Sequence, residues 1–150
     1  MKILFICHAN ICRSFMAQEL TKQELPGATV FSRGLYVDPT LSVPDKITRF
    51  LAACNVQSAP HTPRQLAPDD LAQADLIFCM EPQHLEQLLD RYAQYTPKMW
   101  LLYDFACGKQ KALEDPIGLT GRAFEKQAKE LQKIVYAAAE RIKKEFCEAL

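Results

Sequence analysis

The sequence predicts an α/β protein, a single domain spanning residues 1–150 and built on a four-stranded parallel sheet with helices on both faces. Three observations predict it. Short apolar, β-rich runs alternate with stretches of helical periodicity, which is the pattern of strand, crossover helix and parallel strand. A chain of 150 residues is one domain's worth and buries a real core without staples. Hydrophobic residues at 49% and charged residues at 24% lie near globular averages, which excludes disordered, collagen-like and coiled-coil chains.

Each element follows in order. Ile3-Leu4-Phe5-Ile6 reads as a strand buried on both faces. After residues 7–14, Met16, Ala17, Leu20 and Leu25 mark a helix that Pro26-Gly27 stops. Thr29-Val30-Phe31-Ser32 is the second strand, with Gly34 after it and a loop over 35–43. Pro44-Asp45 opens a helix carrying Ile47, Phe50 and Leu51 to about Asn55. Pro60 and Pro63 break the chain. Residues 74–80 form the third strand, and Glu81-Pro82 starts a helix through Leu85, Leu88 and Leu89. On that helix His84 reads as exposed. Lys98 to Leu102 is the fourth strand, residues 104–119 a long loop, and Thr120 to Leu150 a last amphipathic helix. Its basic residues alternate with acids and read as a solvated face.

Charge narrows the function classes. Eighteen basic residues balance eighteen acidic ones, so there is no basic excess or basic run to mark a nucleic-acid binder. No apolar stretch approaches the ~20 residues that cross a bilayer, and the first apolar run is too short for a signal peptide. The expectation is a cytoplasmic protein with neither nucleic acid nor membrane as partner. Its six cysteines, Cys7, Cys12, Cys54, Cys79, Cys107 and Cys147, are then reduced thiols.

Ligands of parallel α/β sheets bind at the carboxyl ends of the strands, and Cys7 ends the first one. The loop Cys7-His8-Ala9-Asn10-Ile11-Cys12-Arg13-Ser14 runs from strand to helix. Unpaired backbone N–H groups and the helix dipole favour an anion there. Five residues separate Cys7 from Arg13, enough to wrap a phosphate-sized dianion that a bidentate guanidinium closes. The same field favours a thiolate at Cys7, which Ser14 is placed to hydrogen-bond. Asn10 tolerates the left-handed conformation a tight loop needs. Cysteine and arginine at this spacing are weak evidence alone; the strand before, the helix after, and the Asn and Ser inside strengthen them. Cleavage of a phosphate ester also needs a proton for the leaving oxygen. Asp115, stiffened by Pro116, is a candidate donor, although Asp-Pro in a loop is commonly only a turn.

These residues resemble the low-molecular-weight protein tyrosine phosphatase family, in its bacterial form. The family pattern C-x-G-N-x-C-R-S-P is matched by Cys7 to Phe15, and its Asp-Pro acid by Asp115-Pro116-Ile117-Gly118. His61-Thr62-Pro63-Arg64-Gln65-Leu66 and Asp75 to Glu81 match two further stretches, in the right order. The resemblance implies hydrolysis of protein phosphotyrosine through a cysteinyl-phosphate. Cys7 is then the nucleophile, Arg13 the phosphate and transition-state ligand, and Asp115 the general acid and later base. Cys12 is the implied redox partner of Cys7. Asn10, Ser14, Ser32 and His61 are implied loop supports, with Tyr36 and Ile117 at the substrate rim. No metal or cofactor is implied. The implied partners are a phosphotyrosine protein, with a bacterial tyrosine kinase one candidate, and inorganic phosphate or a similar oxyanion.

Three positions depart from the pattern. Ala9 replaces glycine, Phe15 replaces proline, and His8 stands where an apolar wall residue is common. His8 reads equally as a modifier of phosphotyrosine stacking and as an exposed loop residue. Ile11 stands where related arginine phosphatases carry Thr, which favours phosphotyrosine. An arsenate reductase of the same fold is an alternative, but its redox relay is missing, because position 86, seven after Cys79, is Glu. A weakly active phosphate-binding or redox-sensing module is the other alternative. Cys54, Cys79, Cys107 and Cys147 read as structural.

Overall fold

The computed structural model describes residues 1–146. Four parallel strands lie in the order β2-β1-β3-β4. They are β1 (Lys2–Cys7), β2 (Thr29–Gly34), β3 (Leu76–Cys79) and β4 (Met99–Leu101). β1 is central: Phe5 pairs with Ser32 on one side and with Phe78 on the other. The chain leaves β1 for β2 on one side and returns to β3 on the other. The carboxyl ends of β1 and β3 therefore flank a topological switch point, where open α/β sheets hold ligands.

Side-chain alternation divides the core into two layers. Ile3, Phe5, Leu76 and Phe78 face helices α1 (Arg13–Glu24), α2 (Asp45–Ala53), α5 (Leu102–Cys107) and α6 (Gly121–Phe146). Leu4, Ile6, Ile77 and Cys79 face α3 (Pro68–Gln73) and α4 (Pro82–Arg91). Helices thus cover both faces, as expected. Every residue of β3 is buried, which is why that segment reads as a continuous apolar run instead of an alternating one.

The structure corrects several sequence expectations. The fourth strand ends at Leu101, and Leu102 opens α5, so the helix takes the start of what reads as a long loop. Gly108 closes α5 in a left-handed conformation, φ 73°, with its N–H on the Asp104 carbonyl. That glycine is the signal for the helix in the sequence. α3 and a 3₁₀ segment at Ala93–Lys98 are also additional. His84 is buried on α4, not exposed. Cys107 is exposed and Cys54 half-buried, whereas Cys79 is buried; Cys147 lies outside the described residues. Among the described residues no helix is long and apolar enough to cross a membrane.

Candidate active site

The loop between β1 and α1 is held by its own side chains. Asn10 is fully buried and adopts φ 60°, the left-handed conformation expected of it. Its Nδ2 donates to Ser14 Oγ at 2.8 Å and to Ser32 Oγ at 2.9 Å. Ser32 passes its own hydrogen to Gln18 Oε1 at 2.7 Å. The Asn10 Oδ1 accepts the Arg64 N–H, and its carbonyl pairs with His61 Nε2 at 2.9 Å. One residue thereby ties the loop to α1, β2 and the segment before α3.

This network also reaches Cys7. Ser14 Oγ already accepts from Asn10, so its hydrogen is available for Cys7 Sγ, 2.9 Å away. The Asn10 backbone N–H also donates to that sulfur at 3.3 Å. Cys7 Sγ therefore has two polar groups within hydrogen-bond reach, the Ser14 hydroxyl and the Asn10 N–H. Cys12 differs. Burial pushes its thiol up to about 12, with the charges of Asp115 and Cys7 adding to the effect. It stays protonated at neutral pH.

Arg13 is buried, and its guanidinium connects three parts of the chain. Nη1 donates to the Leu113 carbonyl at 2.8 Å and lies 3.3 Å from Glu81 Oε1. Nη2 lies 3.7 Å from Asp115 Oδ2. Its Nε–H is buried and has no hydrogen-bond partner among the described residues. A buried donor left unmatched costs stability, unless a ligand accepts from it. Asp115 itself is partly exposed, and its Oδ1 accepts the Ile117 N–H.

The three departures now have structural accounts. Ala9 is absent from the residues at positive φ, so its methyl group brings no left-handed strain. The required glycine is Gly34 instead, where an added Cβ would meet His8 O at 3.0 Å and Ala9 C at 3.1 Å. Phe15 is fully buried and stacks on the His61 ring, centroids 4.4 Å apart. Burial lowers the pKa of His61, so the ring that meets the Asn10 carbonyl is kept neutral. His8 is exposed and lies 5.1 Å from the Tyr36 ring and 6.1 Å from that of His84. Tyr36 and Ile117 are both exposed, whereas Ile11 is buried in the core at the loop.

Sequence reasoning missed Glu81, Gln18, Arg64 and His84. Glu81 looks like a helix opener before Pro82, yet it bridges Arg13 and His84 Nε2, the latter at 3.1 Å. The profile of the low molecular weight phosphotyrosine protein phosphatase family matches residues 2–148. The chain belongs to that family. The family's low molecular weight protein-tyrosine-phosphatase Etp of Escherichia coli strain K12 is 30% identical, over 99% of this chain and 93% of Etp. The solved YwlE arginine phosphatase of Geobacillus stearothermophilus superposes with a TM-score of 0.89 at 26% identity, covering 99% of this chain and 97% of that one. Vibrio vulnificus Wzb, solved with benzylphosphonate, superposes with a TM-score of 0.82 at 26% identity, covering 93% of this chain and 97% of Wzb.

Proposed function

We propose that the protein hydrolyses phosphotyrosine in proteins through a cysteinyl-phosphate. The observation that carries this reading is a pairing: the Asn10 N–H and the Ser14 hydroxyl within hydrogen-bond reach of Cys7 Sγ, and a buried, unmatched Nε–H on Arg13. The Cys7 thiolate attacks phosphorus, forming an S–P bond as the P–O bond to the leaving group breaks. Asp115 gives its proton to the leaving oxygen. A water then attacks phosphorus, passes a proton to the Asp115 carboxylate, and releases inorganic phosphate with the Cys7 thiolate restored. Arg13 and the loop N–H groups hold the equatorial oxygens through both steps. Cys12 serves as the thiol that joins Cys7 in a disulfide under an oxidant such as peroxide. No metal or organic cofactor takes part.

Ile11, where the arginine phosphatases carry Thr, supports an aromatic substrate, as does a rim carrying His8 and Tyr36 with their rings 5.1 Å apart. The closeness of the fold to an arginine phosphatase favours phosphoarginine as the second reading. Matched peptides carrying phosphotyrosine or phosphoarginine decide between them by kcat/KM. Faster turnover of the phosphotyrosine peptide is expected, and the reverse order overturns the substrate assignment. Equal hydrolysis of para-nitrophenyl phosphate by wild type and Cys7→Ser overturns the enzyme reading itself.

A further inference from the structure

Lys46 stands in the first turn of α2, and its side chain reaches the loop that carries Asp115. Its Nζ lies 3.1 Å from the Pro116 carbonyl oxygen, 2.6 Å from that of Ile117 and 2.7 Å from that of Leu119. An ammonium has three N–H donors and no acceptor, so three carbonyls saturate it. Lysine heads ordinarily stay in water on a flexible stem. This one is committed to main chain, and it also lies 5.2 Å from the centre of the Phe124 ring on α6.

The loop is fastened on the other side of Asp115 as well. Leu113 is buried; its N–H donates to the Met80 carbonyl at 2.9 Å, and its carbonyl accepts from Arg13. Asp115 thus sits between two anchors, one at the phosphate loop and one at Lys46. Its own contacts are the Ile117 N–H on Oδ1 and the long approach of Oδ2 to Arg13. Such contacts alone leave a part-exposed carboxyl group free to turn. General acid catalysis needs the acid within hydrogen-bond reach of the leaving oxygen, so the aim of this loop sets its efficiency.

We propose that Lys46 is a positioning residue for the general acid: by holding three carbonyls of residues 116–119, it aims Asp115 at the leaving-group oxygen. The assignment rests on Asp115 being that acid. An acid matters most when the leaving phenol is a strong base, and little when the leaving group departs unaided as a stable phenolate. Loss of Lys46 therefore has a signature that a general structural role does not give.

The test is kcat/KM for wild type, Lys46→Met, Lys46→Arg, Asp115→Asn and Lys46→Met/Asp115→Asn on phenyl phosphate and 2,4-dinitrophenyl phosphate. Both substrates are run on the same sample, so the folded fraction cancels in their ratio. Lys46→Met is expected to lose about 10-fold on phenyl phosphate and about 2-fold or less on the dinitrophenyl ester, part of the ~10²–10⁴-fold an acid supplies. Lys46→Arg, which keeps charge and donors, recovers part of the loss. Adding Lys46→Met to Asp115→Asn is expected to change the ratio no further. An equal loss of Lys46→Met on both esters overturns the proposal, as does a further change of the ratio in the double variant. If Asp115→Asn itself shows no leaving-group dependence, the assignment of the acid fails, and that outcome is distinct from failure at Lys46 alone.

Discussion

Two loops meet at Arg13, and they are built in different ways. The loop of residues 7–14 is a short span whose members are mostly buried, with Asn10 and Ser14 fully so. Asn10 ties it together, bonded to Ser14 within the loop and to Ser32, Arg64 and His61 close behind it, while the Arg13 Nε–H is left open. The loop of residues 108–120 buries Leu113 and Pro116 and leaves Asp115 partly in water between them. Its shape is imposed by side chains from elsewhere, Arg13 at one end and Lys46 at the other. On the proposed function, the difference fits two tasks. A dianion needs donors fixed before it arrives, because reorganising them during the reaction costs rate. An acid that exchanges protons with a leaving group and then with water needs solvent access as well as aim.

Substitutions at four positions break or sharpen that contrast, from the largest effect to the smallest. Cys7→Ser is expected to remove turnover of para-nitrophenyl phosphate by about 10⁴-fold or more, since nothing else in the loop replaces the nucleophile. A steady-state assay at matched protein concentration checks it. Asp115→Asn is expected to lose about 10²–10⁴-fold in kcat/KM on phenyl phosphate, while phosphate or vanadate binding stays within about 3-fold of wild type. Competitive inhibition constants measured beside the rates check that the exposed loop serves proton transfer and not anion binding.

Asn10→Ala strikes the buried loop. It puts a methyl-bearing residue at φ 60°, removes the Asn10 donor from the Ser14 and Ser32 hydroxyls, and leaves the Arg64 N–H without its acceptor. Left-handed strain and unmatched buried groups together are expected to cost about 3 kcal/mol, read from urea unfolding. Asn10→Gly removes the strain but not the lost bonds and is expected to fall between that variant and wild type. An Asn10→Ala cost as small as that of a surface change contradicts the self-held loop.

The smallest effect concerns pH. Burial lowers the pKa of His84 from its ordinary 6.5, with Arg13 and His8 adding to the effect and Glu81 opposing it. Burial lowers that of His61 in the same direction. A histidine kept neutral by the fold contributes fully above its unfolded value. That contribution is lost as pH falls below about 6.5 and through the lower folded value. Thermal melts at pH 7.5 and 5.5 are therefore expected to show a smaller acid-induced drop in Tm for His84→Gln than for wild type. An unchanged drop excludes His84 as a source of the acid sensitivity.

The local half of the site was legible in the sequence. Cys7, Asn10, Arg13 and Ser14 lie within one turn of loop, so backbone limits and the spacing of donors restrict what they can do before any tertiary contact forms. The alternation of strands and helices was legible for the same reason, because periodicity of 2 or 3.6 is a local property. Asp115 was a candidate proton donor from its pattern, hard to tell from an ordinary turn until the family resemblance gave it a role. Glu81 read only as the end of a matched stretch and a helix opener, and Lys46 gave no sign. Lys46 meets its carbonyls 70, 71 and 73 residues further along the chain, and no local period encodes such a meeting. His84 shows the same limit in reverse. A polar residue between glutamine and leucine reads as exposed, yet His84 is buried with its Nε2 3.1 Å from Glu81 Oε2 and the His8 ring stacked nearby.

The sequence by itself determined the alternation of strands and helices, the loop between the first strand and helix, and the left-handed residue at its centre, because each follows from residues a few positions apart. Only the tertiary structure decided which charges surround Arg13, where the loop of Asp115 is pinned, and which glycine the loop leans on. Those depend on the strand order β2-β1-β3-β4, which brings the ends of distant segments to one crevice.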